Sequence, residues 1–165
     1  MSTDPRARAR ARSHAPVERE FSAGGVVVRG HRSPQGEWSK QCVVIVPTRR
    51  AKGGERVLAL PKGHPEGSES GMDAALREIR EETGIEARLI DKLGEVRYWY
   101  QRDGKRIAKV VAFFLFDHVS GEPAGDPIEI EEARWMALEE AERALTYRGE
   151  RDMVALAKVH PACRS

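Results

Sequence analysis

Three glutamates, Glu78, Glu81 and Glu82, crowd into the stretch REIREETG at 77–84. On a helix advancing about 100° per residue, Glu81 and Glu82 fall within about 60° of Glu78, one on either side. Like charges at these spacings repel by a few tenths of a kcal/mol per pair, and a solvated charged face is the ordinary explanation for such a run. The chemical alternative is a seat for a hard divalent cation, which prefers oxygen ligands and keeps several waters. A cation so held neutralises phosphate charge and generates hydroxide near neutral pH. Hydrolysis of a phosphoanhydride needs both, and the repulsion within the trio then becomes affinity for the metal.

The flanking residues decide between these readings. GHPEGSESGMDAALREIREETGI, residues 63–85, fits the pattern Gly-x5-Glu-x7-Arg-Glu-U-x-Glu-Glu-x-Gly-U, where U is a bulky aliphatic. Gly63, Glu69, Arg77, Glu78, Ile79, Glu81, Glu82, Gly84 and Ile85 fill every specified position. From average residue usage, a chance match is on the order of one in ten million. On this motif the chain resembles the Nudix hydrolases over residues 21–160. The resemblance implies the α/β class, as an α/β/α sandwich around a mixed sheet. It implies that Glu78, Glu81 and Glu82 bind Mg²⁺ or Mn²⁺, joined by the backbone carbonyl of Lys62, and that Glu69 and Arg77 orient loop and helix. Gly63 and Gly84 would permit backbone turns that a β-carbon obstructs. An additional carboxylate from outside the helix often serves as base or ligand in this family. Here DPIEIEEARWMAL offers Glu129, Glu131 and Glu132, and the sequence does not choose among them.

Pro61-Lys62-Gly63-His64 is more particular than the motif itself. It resembles the branch acting on diadenosine polyphosphates and, in relatives, on diphosphoinositol polyphosphates; enzymes that clean oxidised nucleoside triphosphates often carry Pro-Gly-Gly there. The implied activity is hydrolysis of diadenosine tetra- to hexaphosphate with release of ATP. A nucleoside triphosphate or a 5′-triphosphate RNA end is the alternative substrate, and a non-catalytic sensing domain would have lost motif glutamates. Lys62 supplies a point charge for a long phosphate chain, and His64, Arg49 and Arg50 are further candidate phosphate contacts. Tyr98 and Tyr100 share one side of a strand; they stack on adenine or pack within a hairpin. Lys109, out of place in IAKVVAFF, either points into the cleft or sits at a strand edge.

These side chains need elements to hold them. Residues 70–83 read as a helix, with Ser70 as N-cap, Asp73 three residues on, and Gly84 in the left-handed position after the last turn. Met72, Ala75, Leu76 and Ile79 form its packing flank. Before it come three strand candidates, FSAGGVVVRG, QCVVIVPT and RVLALP. After it, EARLIDKLGEVRYWYQ and KRIAKVVAFFLFDHV are joined by RDGK, whose Asp103-Gly104 pair signals a hairpin. EARWMAL reads as a short strand, and EEAERAL and ERDMVALAKV as helices.

At 165 residues and 18.4 kDa the chain accommodates one domain with a single core, expected over residues 20–165. Residues 1–19 read as a disordered basic arm, because alternating Arg and Ala has nothing to bury. The arm is either a solvated extension or a contact for polyanions, which leaves RNA open as a partner. A net charge of +2 does not by itself call for nucleic acid. Cys42 and Cys163 lack CxxC spacing and are too few for a disulfide scaffold, which favours a reducing compartment. No apolar run approaches 18 residues and no apolar segment follows the basic N-terminus. The expectation is a cytoplasmic, membrane-independent monomer or homodimer acting on a small nucleotide.

Overall fold

The computed structural model describes residues 16–164. Its strands are β1 (Val17–Arg32), β2 (Trp38–Pro47), β3 (Lys62–Gly63), β4 (Glu86–Arg102), β5 (Lys105–Ser120) and β6 (Ile130–Ala137). Its helices are α1 (Gly71–Thr83), α2 (Leu138–Ala144) and α3 (Arg148–Val159), followed by a 3₁₀ turn at Pro161–Cys163. The sheet runs β4-β5-β1-β2-β6, with β3 added to β1. β1 and β5 are parallel and the other pairs antiparallel, so the sheet is mixed.

Strand alternation sends the apolar residues to two faces. Val26, Val28, Cys42, Val44, Phe113 and Leu115 project to one face, where α2 and α3 cover them with Leu138, Leu145, Met153 and Val154. Ala23, Val27, Val43 and Phe116 project to the other, where α1 lays down Ala74, Ala75 and Ile79. The result is the expected α/β/α sandwich. Asp103 and Gly104, at φ 52° and 73°, turn β4 into β5 as the dipeptide signalled. Cys42 and Cys163 are buried free thiols. Among the described residues no helix is long and apolar enough to cross a membrane.

Two expectations are corrected. RVLALP does not form a strand. Ala59 exchanges both backbone bonds with Ile45, but the Leu58 and Leu60 N–H groups donate to the side chains of Thr146 and Glu150. Those two N–H groups face away from β2; toward β2 the next hydrogen-bonded positions set Val57 against Pro47 and Pro61 against Val43, and neither proline has an N–H to extend the pairing. Order also begins before residue 20, because Val17, Glu18 and Arg19 pair with Arg106, Ile107 and Ala108 of β5. The rest of the basic arm, 1–15, lies outside the described residues.

Candidate active site

Ser70 caps α1, accepting the Asp73 N–H at 3.1 Å, and Gly84 ends it at φ 75°. The cap fixes where the helix starts, and so where the carboxylates of its last two turns emerge. Arg77 then ties helix to loop. Its Nε donates to both Glu69 oxygens at 3.2 and 3.0 Å, and its Nη2 to Glu69 at 3.0 Å and to the His64 carbonyl at 2.8 Å. Its Nη1 donates to Glu78 at 3.0 Å and Glu81 at 3.1 Å. The guanidinium holds Glu69 below the usual carboxylate range, aided by the Glu66 N–H. One arginine thus fixes the loop and two members of the trio.

Glu78 and Glu82 sit against β3. The Lys62 N–H donates to Glu82 at 3.2 Å, and a Cβ added at Gly63 would overlap the Glu78 carboxyl group. Only glycine lets the loop approach this closely. Burial pushes the Glu78 carboxyl up, and burial followed by the facing Glu78 charge pushes Glu82 up to about 8. The pair therefore retains a proton into the neutral range. Glu81 is more exposed and leans on Arg77. All three line a recess of about 310 Å³ with Asp126, Ile128, Glu129 and Ile130.

The trio is not gathered into a finished cage: among the described residues no three His, Cys, Asp or Glu side chains already stand at ligand spacing. Its chemistry nonetheless fits a hard divalent cation. The donors are all oxygens, they repel one another, and they lack the sulfur or imidazole that would favour zinc.

The structure also separates the three carboxylates the sequence left level. Glu131 pairs with Arg50 at 3.3 Å and with Arg56, and Glu132 with Arg134 at 3.0 Å. Glu129 alone of the three faces the recess and also the larger cleft beside it. Its backbone is held there by Thr48, whose N–H and hydroxyl both donate to the Glu129 carbonyl.

That cleft encloses about 1270 Å³ on the α3 side of the sheet. It brings together Lys62, His64, Arg49, Tyr98 and Tyr100 from the sequence candidates, but not Arg50, which Glu131 holds away. Lys62 is already engaged: its Nζ lies 2.9 Å from Glu150. Glu150 is buried and also accepts the Leu60 N–H at 2.6 Å. His64 contacts the Phe21 carbonyl through Nδ1 at 3.1 Å. Lys109 does point into the cleft, donating to Ser22 at 2.6 Å with Glu20 at 3.6 Å, and burial lowers its pKa. Tyr100 donates to Glu20, and its ring lies 6.2 Å from that of Tyr98.

Sequence reasoning missed Glu150, Glu20 and Tyr147, the last with its ring 5.6 Å from the Lys62 ammonium. Glu150 carried no signal, since it lies in the charged run RGERD. Glu20 had one, alternating with Ser22 on the face opposite Phe21.

The NUDIX domain model matches residues 19–157. A Mycobacterium tuberculosis (strain CDC 1551 / Oshkosh) protein with the provisional name mutator protein MutT4 is 34% identical over 138 residues, covering 84% of this chain and 54% of that protein. The chain therefore spans about half the length of this curated relative. Among solved structures, a Caenorhabditis elegans Ap4A hydrolase binary complex aligns with TM-score 0.62 at 21% identity, over 84% of this chain and 95% of the other. A MutT NUDIX hydrolase from Burkholderia pseudomallei aligns with TM-score 0.61 at 24% identity, over 84% and 98%. At such identities the two structures speak for the fold. The matched domain spans the sheet, the capped helix and the recess its glutamates line, and on that basis the chain belongs to the Nudix family.

Proposed function

We propose that this chain is a divalent-metal-dependent pyrophosphohydrolase of dinucleoside polyphosphates, hydrolysing diadenosine tetra-, penta- and hexaphosphate with release of ATP. The observation that carries the reading is the cleft beside the glutamate recess. Lys62, Lys109 and Arg49 line it with three aromatic rings, Tyr98, Tyr100 and Tyr147. A phosphate chain longer than a triphosphate has cations to follow and an adenosine has rings to stack on.

Glu78, Glu81 and Glu82 would hold Mg²⁺ or Mn²⁺, with the Lys62 carbonyl beside them. When bound, the ion supplies charge neutralisation on the phosphates and lowers the pKa of water. The remaining work falls to the chain. Arg77 and Glu69 keep loop and helix in register, Glu129 accepts the proton of the attacking water, and Lys62, Lys109 and Arg49 hold the phosphate chain. For diadenosine tetraphosphate, water enters as one P–O–P bond breaks, giving ATP and AMP.

The C. elegans neighbour, an Ap4A hydrolase, supports this reading, whereas the mutator name of the M. tuberculosis relative favours a nucleoside triphosphate. A panel decides between them. With Mg²⁺ present, kcat/KM is compared for diadenosine tetraphosphate, ATP, an oxidised dGTP and a 5′-triphosphate RNA, with products resolved by chromatography. Preference for diadenosine tetraphosphate, yielding ATP and AMP, supports the reading. Preference for oxidised dGTP or for the RNA end overturns it.

A further inference from the structure

The three strands that wall the cleft also have a reverse face, and α1 covers only part of it. Paired residues in adjacent strands project to the same side, so the register defines rows on that face. Ala23 and Ala112 form the last row buried under α1. Beyond it, Phe21 and Arg97 flank Val110, and Arg19 and Trp99 flank Ala108. Arg106 follows, next to Val17. The ring of Phe21 abuts Gly71, the first residue of α1, and marks where the cover stops.

This open grid has a definite chemistry. Phe21 is 40% exposed and Trp99 55%. Counting two strand spacings and one row, the backbone positions of the two residues stand about 12 Å apart. The Arg106 guanidinium lies 4.3 Å over the Trp99 ring, so cation and platform are already assembled. Charge is segregated by strand parity: Glu18 and Glu20 alternate with Val17, Arg19 and Phe21 and therefore point to the cleft side. Glu95 at 2.6 Å holds Arg97, but among the described residues Arg19 and Arg106 have no carboxylate partner. Residues 1–15, which precede β1 in the chain, carry Arg6, Arg8, Arg10 and Arg12 against one acid, Asp4.

We propose that this reverse face of β1, β5 and β4 is a docking surface for single-stranded nucleic acid, whose unpaired bases stack on Trp99 and Phe21 while Arg19 and Arg106 meet phosphates. Exposed rings accept a base only where it is not already stacked in a duplex, and arginines at their rims complement the backbone. The proposal is independent of which nucleotide the cleft hydrolyses, because the grid lies on the other side of the sheet.

The test is fluorescence anisotropy of a short labelled oligouridylate titrated with the full chain at several salt concentrations, against a duplex of equal length. The single strand binds more tightly than the duplex, and affinity falls with salt. Trp99→Ala weakens binding about tenfold, and Arg106→Gln reduces the salt slope by about 0.7. Both variants keep the parent's melting temperature and its turnover of small nucleotides. Four results each overturn the proposal: no binding at low salt, equal affinity for the duplex, binding undiminished in both variants so that the arm alone accounts for it, or sedimentation showing the face buried in a Trp99-dependent dimer.

Discussion

Lys62 was singled out as a phosphate contact, yet its ammonium sits 2.9 Å from Glu150 with side-chain exposures of 18% and 5%. The pair therefore has a structural role that can be measured apart from any substrate. Removing one partner of a buried pair costs about 3–5 kcal/mol, since the other charge is left uncompensated. Glu150→Ala also strands the Leu60 N–H, which Glu150 accepts at 2.6 Å, adding about 1–3 kcal/mol. In Glu150→Gln the amide oxygen still serves Leu60, while the amide NH₂ faces the ammonium.

The combination Lys62→Met with Glu150→Gln removes both charges and keeps the backbone bond. Its stability should return to within about 1–2 kcal/mol of the parent, which makes the coupling between the sites about 2 kcal/mol or more. Urea denaturation of the parent, both single variants and the double variant measures this. Additive losses in the double variant would refute the structural coupling. The same double variant then isolates the functional role. With stability recovered, kcat/KM for diadenosine tetraphosphate should remain about 1–3 kcal/mol worse in transition-state binding, and ATP should suffer less.

Gly63→Ala drives a Cβ into the Glu78 carboxyl group. It should lower kcat at least tenfold with little change in KM, while a normal circular dichroism spectrum shows the fold intact. Stability of the metal-free protein should depend on pH through Glu82. Its folded pKa of about 8 lies above the ordinary 4.5, so the folded state keeps a proton that the unfolded chain releases, and stability falls as pH rises between those values. The loss is on the order of 4 kcal/mol at about 1.4 kcal/mol per tenfold in proton affinity. Urea titrations in chelator from pH 5 to 8 should show it in the parent and a smaller fall in Glu82→Gln, where only the burial of Glu78 remains. Glu129→Gln should cost about 10²-fold in kcat. Glu131→Gln and Glu132→Gln, whose partners are surface arginines, should stay within a few-fold of the parent when assayed side by side.

The parts that local chemistry dictates could be read from the sequence. Ser70 and Gly84 bound a helix because one offers a cap oxygen and the other tolerates φ 75°; Asp103-Gly104 turns a hairpin for the same backbone reason. The valines of β1 and β2 gave their strands through apolar runs, whose alternate residues face opposite helices. What depends on distant partners was not legible. Whether RVLALP joins a ladder depends on its register with β2, which sets Pro47 and Pro61 at the positions that would extend the pairing. Arg49 and Arg50 are adjacent and identical in type, yet Arg49 lines the cleft while Glu131 captures Arg50. Glu129, Glu131 and Glu132 differ only in which neighbour each meets once β6 pairs with β2. Glu150 looked like one more charge on a surface helix until the fold buried it.

The central claim is that the carboxylates of α1 drive metal-dependent hydrolysis, and Glu82 tests it most directly. Glu82→Gln nearly preserves volume and removes one charge from the recess. The decisive measurement is turnover of diadenosine tetraphosphate by parent and variant, each with Mg²⁺ and each in excess chelator. The account predicts a loss of about 10²-fold or more in the variant, on the scale of removing one charge-stabilising group, and none but background turnover by either protein in chelator. A variant as fast as the parent, or a parent fully active without divalent metal, would contradict it.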